Sequence, residues 1–259
     1  QGDGTVQRAG VLSMNANPYF AVARDALQRV ADTQGKAIED AAKLMVEAIT
    51  GDKAIFAFGA THSFILVEEM VYRTGGLILV NPIYPHGMNL SVRPMTATSR
   101  LERLEGLGTT LLANSPARTG DVLLIVSTSG RNAVVIDMAL EARKRGIRTI
   151  AITALAYSGG VASRHSSGKK LAELCDVVLD NCAPYGDAAV TVPGCPQKIG
   201  PLSSLTGVAI VNALAVAVVQ ALAARGQTPP VFMSANLDGG DAYNARVLAE
   251  NRHRIHYME

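Results

Sequence analysis

"LLIVSTSGRN", Leu123 to Asn132, leaves an apolar run and arrives at once at Ser127, Thr128, Ser129, Gly130 and Arg131. The apolar part is short and bounded by Asp121 and Gly130, so it reads as a buried strand. The next stretch, "NAVVIDMALEARKRG", has apolar residues at helical spacing and stops at Gly146. The hydroxyl cluster therefore occupies a strand-to-helix turn. There the free N–H groups and positive end of a helix meet hydroxyl donors, which is the composition of an anion site. Serine and threonine also cap helices. One cap needs one hydroxyl, so three in a row followed by an arginine point to a ligand.

The same alternation extends in both directions. Asn17-Pro18 opens a helical region running to about Thr50, broken near Gly35. "KAIFAF" (53–58) is a strand, "THSFILVEEMVYRTGG" (61–76) a helix stopped by Gly75-Gly76, and "LILV" (77–80) a second strand. "NPIYPHGMNLSVRPM" (81–95) is a Pro-rich loop and "TSRLERLEGLG" (98–108) a short helix. After the opening strand and its helix come "RTIAIT" (148–153), a long loop (154–170), and a half-turn with another strand in "LAELCDVVLD" (171–180). "GDAAVTVPGCPQKIGP" (186–201) is irregular or a hairpin, and a polar helix near Asp241 to His256 closes the chain. Strands alternating with helices imply right-handed βαβ units. The expected fold is a doubly wound α/β domain with a mostly parallel five-stranded sheet and an N-terminal helical arm.

The chain has 259 residues, 48% apolar, with a net charge of +2, which suits one large α/β domain. Aromatics are 5% and no basic stripe interleaves them, so nucleic acid is not an expected partner. Residues 1–16 read as a disordered leader or an expression remnant ahead of a single domain over 17–259, with Met14 a candidate native start. Cys175, Cys182 and Cys195 form an odd set without C-x-x-C, as expected of free thiols in a reducing cytoplasm. Gly207 to Ala224 is uncharged and near the lower limit for a membrane span. It lacks an aromatic belt and reads as a buried core or subunit-interface helix rather than a membrane segment.

In an open parallel sheet, ligands bind beyond the carboxyl ends of the strands. The loops after "AIFAF", "LILV", "LLIV" and "TIAIT" should line one crevice. The first holds Gly59, Thr61, His62 and Ser63, again a glycine and hydroxyls at a helix start. It is not a dinucleotide fingerprint, because Thr61 stands where a second glycine is needed and no acidic residue ends "LILV". No P-loop occurs either. The expected ligand is a single phosphate or carboxylate, with no cofactor and no metal.

Strand-"STSG"-helix, with "FGATHS" opening the sheet, resembles the SIS (sugar isomerase) domain, a phosphosugar-binding α/β fold. "EEMVYRTGGLILVNPI", "RLERLEGLG", "SRHSSGKKL" and "PPVFMSANLDGGDAYN" are similar to the UPF0309 family of SIS-domain proteins. The resemblance implies that Ser127, Thr128 and Ser129 hold a sugar's phosphate, with Gly59, Thr61, Ser63, Gly130 and Arg131 beside them. The common SIS turn continues S-G-E-T; here Arg131-Asn132 follow Ser129-Gly130. The usual glutamate therefore has no carrier, and a cation is added. SIS proteins generally pair, so a homodimer is implied.

Aldose–ketose isomerisation needs a base to move a proton between adjacent carbons and an acid/base pair to open the ring. His86 lies in the loop after the second strand, and its ordinary pKa suits proton transfer. Arabinose-5-phosphate isomerases carry a histidine-glycine pair that resembles His86-Gly87. Glu102 and Glu105, three apart, would share a helix face with Arg100 and Arg103. Glu68 or Glu69 follows the first anion loop, and His165 sits in a loop long enough to be a lid. "KIGPLSSLTG" (198–207) resembles the entrance to the last helix in those isomerases. Asn236 and Asp238 occupy a turn that supplies a histidine there, and none is present here. The function expected is binding of a sugar phosphate, with isomerisation the leading reaction. A non-catalytic sensor, or a lyase acting on an amino-sugar phosphate, is the alternative.

Overall fold

Asn17 starts the first helix by accepting the Tyr19 N–H on its Oδ1 at 3.0 Å, with Pro18 fixed in the first turn. From there the computed structural model describes residues 17–258, so the expected leader lies outside the described residues. The opening helices are α1 (Pro18–Thr33) and α2 (Gly35–Thr50), parted at Gln34. Then follow β1 (Ile55–Gly59), a tight turn at Thr61–Ser63, α3 (Phe64–Met70), β2 (Val80–Pro82), α4 (Ala97–Leu101) and α5 (Leu107–Ala113). The central unit is β3 (Val122–Val126), α6 (Ala133–Lys144), β4 (Arg148–Thr153), α7 (Leu155–Gly159) and β5 (Val177–Asp180). An antiparallel hairpin, β6 (Ala188–Val190) and β7 (Ile199–Pro201), leads into α8 (Ser203–Ala224) and α9 (Gly240–Glu250).

The sheet has order β2-β1-β3-β4-β5 and every pairing is parallel. Its central strands are buried on both faces and therefore read as continuous apolar runs rather than alternations. Period two still sorts them. Ile55, Ala57, Leu124 and Ile150 pack toward α2, α3 and α8, whereas Phe56, Phe58, Leu123 and Ile125 pack toward α5 and α6. The chain steps from β1 outward to β2, then returns to lay β3 on the other side of β1. That reversal opens a crevice between the carboxyl ends of β1 and β3.

Several local expectations are corrected. The helix after β1 ends at Met70, not at Gly75-Gly76. Tyr72 takes a positive φ of 49°, with its ring 5.2 Å from that of Phe232. The Gly75 N–H bonds to the Phe232 carbonyl and the Ile78 N–H to that of Pro230, so 75–78 belongs with the C-terminal segment. The second strand consequently starts at Val80. α4 stops at Leu101, so Glu102 and Glu105 do not share a helix face. Only part of the N-terminal region is an arm: α2 is a full layer of the core, while α1 lies over α8 and β6. By length and composition α8 could cross a membrane. Its Ile210, Val211, Leu214, Val218 and Leu222 are buried against the core, yet Val216 on the opposite side is 56% exposed.

Candidate functional site

Gly59 and Val126 are register partners at the ends of β1 and β3, so the turns that follow them face one another. A Cβ at Gly59 would lie 2.5 Å from the Ser63 carbonyl oxygen, which only glycine avoids. Beyond it Thr61 is held at a φ of 53°, its N–H donating to the Met88 carbonyl at 2.8 Å. A threonine in the left-handed region is strained, and such strain concentrates at functional sites.

The second turn is equally fixed. The Gly130 N–H donates to Ser127 Oγ at 3.2 Å, and Gly130 has a φ of 59°. The Thr128 carbonyl accepts the Ala154 N–H, and the Gly130 carbonyl accepts that of Leu171, both at 2.9 Å. Ser127 Oγ thus closes the turn as an acceptor, which leaves its own O–H able to donate. The hydroxyls of Thr128 and Ser129 have no protein partner among the described residues, and α6 receives no side-chain cap. A helix N-terminus without a side-chain cap, beside two unoccupied hydroxyls, is arranged for an anion.

Both turns line one cleft of about 370 Å³. Glu102, at the end of α4, enters it from the side. The Asn132 amide donates to Glu102 Oε2 at 2.6 Å, and the Thr61 hydroxyl also donates to this carboxyl. Burial pushes the Glu102 pKa above its ordinary value, and the two donors only partly offset it. The far wall comes from the hairpin and α8. Asp187 accepts the Ser203 N–H at 2.8 Å, the Ser203 hydroxyl at 2.7 Å and the Leu202 N–H at 3.1 Å. It so brings Ser203 and Ser204 to the cleft, with Tyr157 and His62 completing the lining.

The structure brings together Thr61, Ser63, Ser127, Thr128, Ser129 and Glu102 of the residues singled out in the sequence. Gly59 and Gly130 shape the two turns. Arg131 lies outside the lining, its buried Nε without a hydrogen-bond partner among the described residues. His86 is exposed on the neighbouring loop and does not line the cleft either. Glu69 is directed away, bonded to Arg73 at 3.1 Å and Asn212 at 2.9 Å, and Glu68 lies in a separate groove with Tyr84. His165 is half-buried against Asp137 at 3.1 Å, and that Asp137 carboxylate also takes the Gly106 N–H. Glu105 accepts the N–H and hydroxyl of Ser166. His165 and Glu105 therefore fasten the 160–170 loop. Sequence reading did not single out His62, Asn132, Tyr157 or Asp187. His62 and Asn132 stood inside quoted motifs; nothing local marks Asp187, which reaches the cleft only through the fold. The thiols of Cys175, Cys182 and Cys195 are free, and burial pushes Cys175 up to about 12.

The SIS-domain family profile matches residues 18–154. A UPF0309 protein of Shouchella clausii is 46% identical over 240 residues, covering 93% of this chain and 98% of its own length. Among solved structures, the phosphoheptose isomerase of Neisseria gonorrhoeae superposes with a TM-score of 0.51 at 20% identity, covering 78% of this chain and 96% of its own. The Vibrio vulnificus NanR protein complexed with ManNAc-6P has a TM-score of 0.51 at 18% identity, covering 90% and 68%.

Proposed function

Given that this chain belongs to the UPF0309 family of SIS-domain proteins, we propose that it binds a phosphorylated sugar and moves a proton on it. The observation that carries the reading is one cleft holding both an anion-shaped turn and a partly buried carboxyl with a raised pKa. The phosphate is held by the Thr128 and Ser129 hydroxyls at the start of α6. Phosphosugar recognition in relatives of the same fold, such as the NanR complex, supports this choice of ligand. Glu102 then acts on the sugar carbons.

In its ionised form Glu102 takes the proton from the carbon next to the carbonyl. The C–H electron pair becomes the C=C bond of an enediol, and the carbonyl oxygen gains a proton from the cleft. Once ionised, a carboxyl whose pKa is raised by burial is a stronger base than an ordinary one. Return of the proton to the former carbonyl carbon, as the other enediol hydroxyl releases its proton to the cleft and becomes the new carbonyl, completes an aldose–ketose isomerisation. The same first step serves a lyase, in which a substituent one carbon further leaves as the double bond moves. The lyase is the second reading; it would call for a pair of glutamates, and Glu102 is the one glutamate in the cleft lining among the described residues. His62 at the mouth is the imidazole available for ring opening. We further propose a homodimer, acting in the cytoplasm.

A thermal-shift screen of hexose and pentose phosphates against their unphosphorylated sugars tests binding. A ligand at 100 times its Kd adds about 2.7 kcal/mol of stability. Exchange of the C2 proton with deuterated water tests the chemistry, because it reports the enediol whatever the product. Tight binding without exchange would leave a sensor rather than an enzyme.

A further inference from the structure

Asparagine at the start of a helix ordinarily turns its side chain back to accept a backbone N–H. Asn132 holds the N-cap position of α6 with φ −77° and ψ 148°, yet makes no such bond. Its amide reaches the other way. Nδ2 donates to Glu102 Oε2 at 2.6 Å, and Oδ1 accepts from Arg164 Nη1 at 3.0 Å. This bridge has one possible sense. A guanidinium only donates, so it takes the amide oxygen, and the amide NH2 is left to face a carboxylate that accepts.

Arg164 comes from the loop between α7 and β5. That loop is stitched to the rim of the cleft: the Arg164 N–H donates to the Arg131 carbonyl at 2.8 Å, His165 pairs with Asp137 and Ser166 with Glu105. The loop thus touches the catalytic carboxyl through a single amide. Giving up a helix cap weakens the start of α6, a sacrifice that the bridge explains.

We propose that Asn132 is a positioning residue for Glu102, and that Arg164 acts on this carboxyl through the Asn132 amide. The 160–170 loop thereby sets the aim and the ionisation of the base. The consequence for turnover rests on the role given to Glu102 above; the relay is a property of the protein without ligand. The groups facing Glu102 are Arg103 on its own turn, Arg164 from the loop, the Thr61 hydroxyl and the Asn132 amide. Burial opposes the charge on Glu102 and all four favour it.

The test is carboxyl titration by 13C NMR on glutamate-labelled protein, with E102Q identifying the resonance. Asn132→Ala removes a donor to the carboxylate, so the Glu102 pKa should rise further. Asn132→Ser supplies a capping hydroxyl but is too short to bridge, and should give the same rise in a protein at least as stable as the parent. Arg164→Ala should raise the pKa when Asn132 is present and change it little when Asn132 is alanine, whereas Arg164→Lys, retaining a donor and a charge, should restore most of the parent value. An unchanged pKa in both Asn132 variants would make the asparagine an ordinary helix start and overturn the proposal. Equal effects of Arg164→Ala in both backgrounds would overturn it too, as direct charge acting through space. Proton exchange on the hexose 6-phosphate that binds best separates the two ideas: normal exchange by E102Q would remove Glu102 as the base while the titration pattern stood.

Discussion

Glu102 is subject to opposed forces, and their balance gives two measurable consequences. Its folded pKa is raised, with desolvation the leading cause. The native protein therefore holds its proton to higher pH than the unfolded chain does. Stability from this group is complete below the ordinary carboxylate range and is lost as pH rises through the folded pKa. E102Q, which never ionises, should consequently melt higher than the parent at pH 7 and equal to it in acid; a lower melting temperature at pH 7 would contradict the burial argument. The same substitution removes the proposed general base, so exchange should fall about 10²- to 10⁴-fold. In the parent, activity should decline in acid as the base protonates. Ser129 gives a complementary prediction. Its hydroxyl has no protein partner among the described residues, so Ser129→Ala should leave folding almost untouched. A hydrogen bond to a charged group is worth about 1.5–3 kcal/mol, which corresponds to a loss of roughly 10- to 150-fold in affinity for the sugar phosphate. Titration calorimetry that found equal affinities would exclude this turn as the phosphate site.

The turns are the elements on which the site depends, and their glycines are not interchangeable with alanine. At Gly59 a Cβ would sit 2.5 Å from a backbone oxygen, so relief requires the Thr61–Ser63 turn to move. Gly59→Ala should cost about 1–3 kcal/mol in urea unfolding and weaken ligand binding at the same time. Retained stability with full binding would mean the turn adapts freely. The strands and the helix after β3 were legible because their signals are local: "RTIAIT" is β4 residue for residue, and "LLIV" lies wholly within β3. The end of α3 was not. Tyr72 leaves the helix to pack on Phe232, and that partner is far along the chain. The strand-to-helix turn proposed to hold the phosphate was legible for the same local reason, since hydroxyls and a strand end adjoin in sequence. The opposite wall was not, because Asp187 and Ser203 come to the same cleft as Glu102 only through the sheet and hairpin. His86 and Glu69 looked suitable by type and by position in the chain, but side-chain direction assigns Glu69 to Arg73 and Asn212 and leaves His86 exposed.

At the scale of the molecule, strand order places the crevice and α8 ties it to the surface. The reversal between β1 and β3 sets two helix-opening turns side by side, so one fold-level feature supplies both halves of the proposed anion site. α8 begins at Ser203 in the cleft wall and runs about 33 Å across one side of the core. It is apolar nearly all round, but the sheet layer covers one face. Leu205 at 37% and Val216 at 56% exposure remain on the other, with alanines between them and no charge from Ser203 to Ala224. Monomers rarely expose an apolar face of this length, and this supports the proposal that it pairs with a second copy of the chain. The protein should therefore run at twice its chain mass in light scattering at micromolar concentration. Val216→Arg places a charge at the centre of that face, where pairing would strip its water, so the variant should be monomeric. Its side chain points to solvent in the single chain, so the melting curve at high dilution should match that of the parent. A parent of single-chain mass at micromolar concentration would remove the interface argument, and a dimeric Val216→Arg would move the interface away from α8.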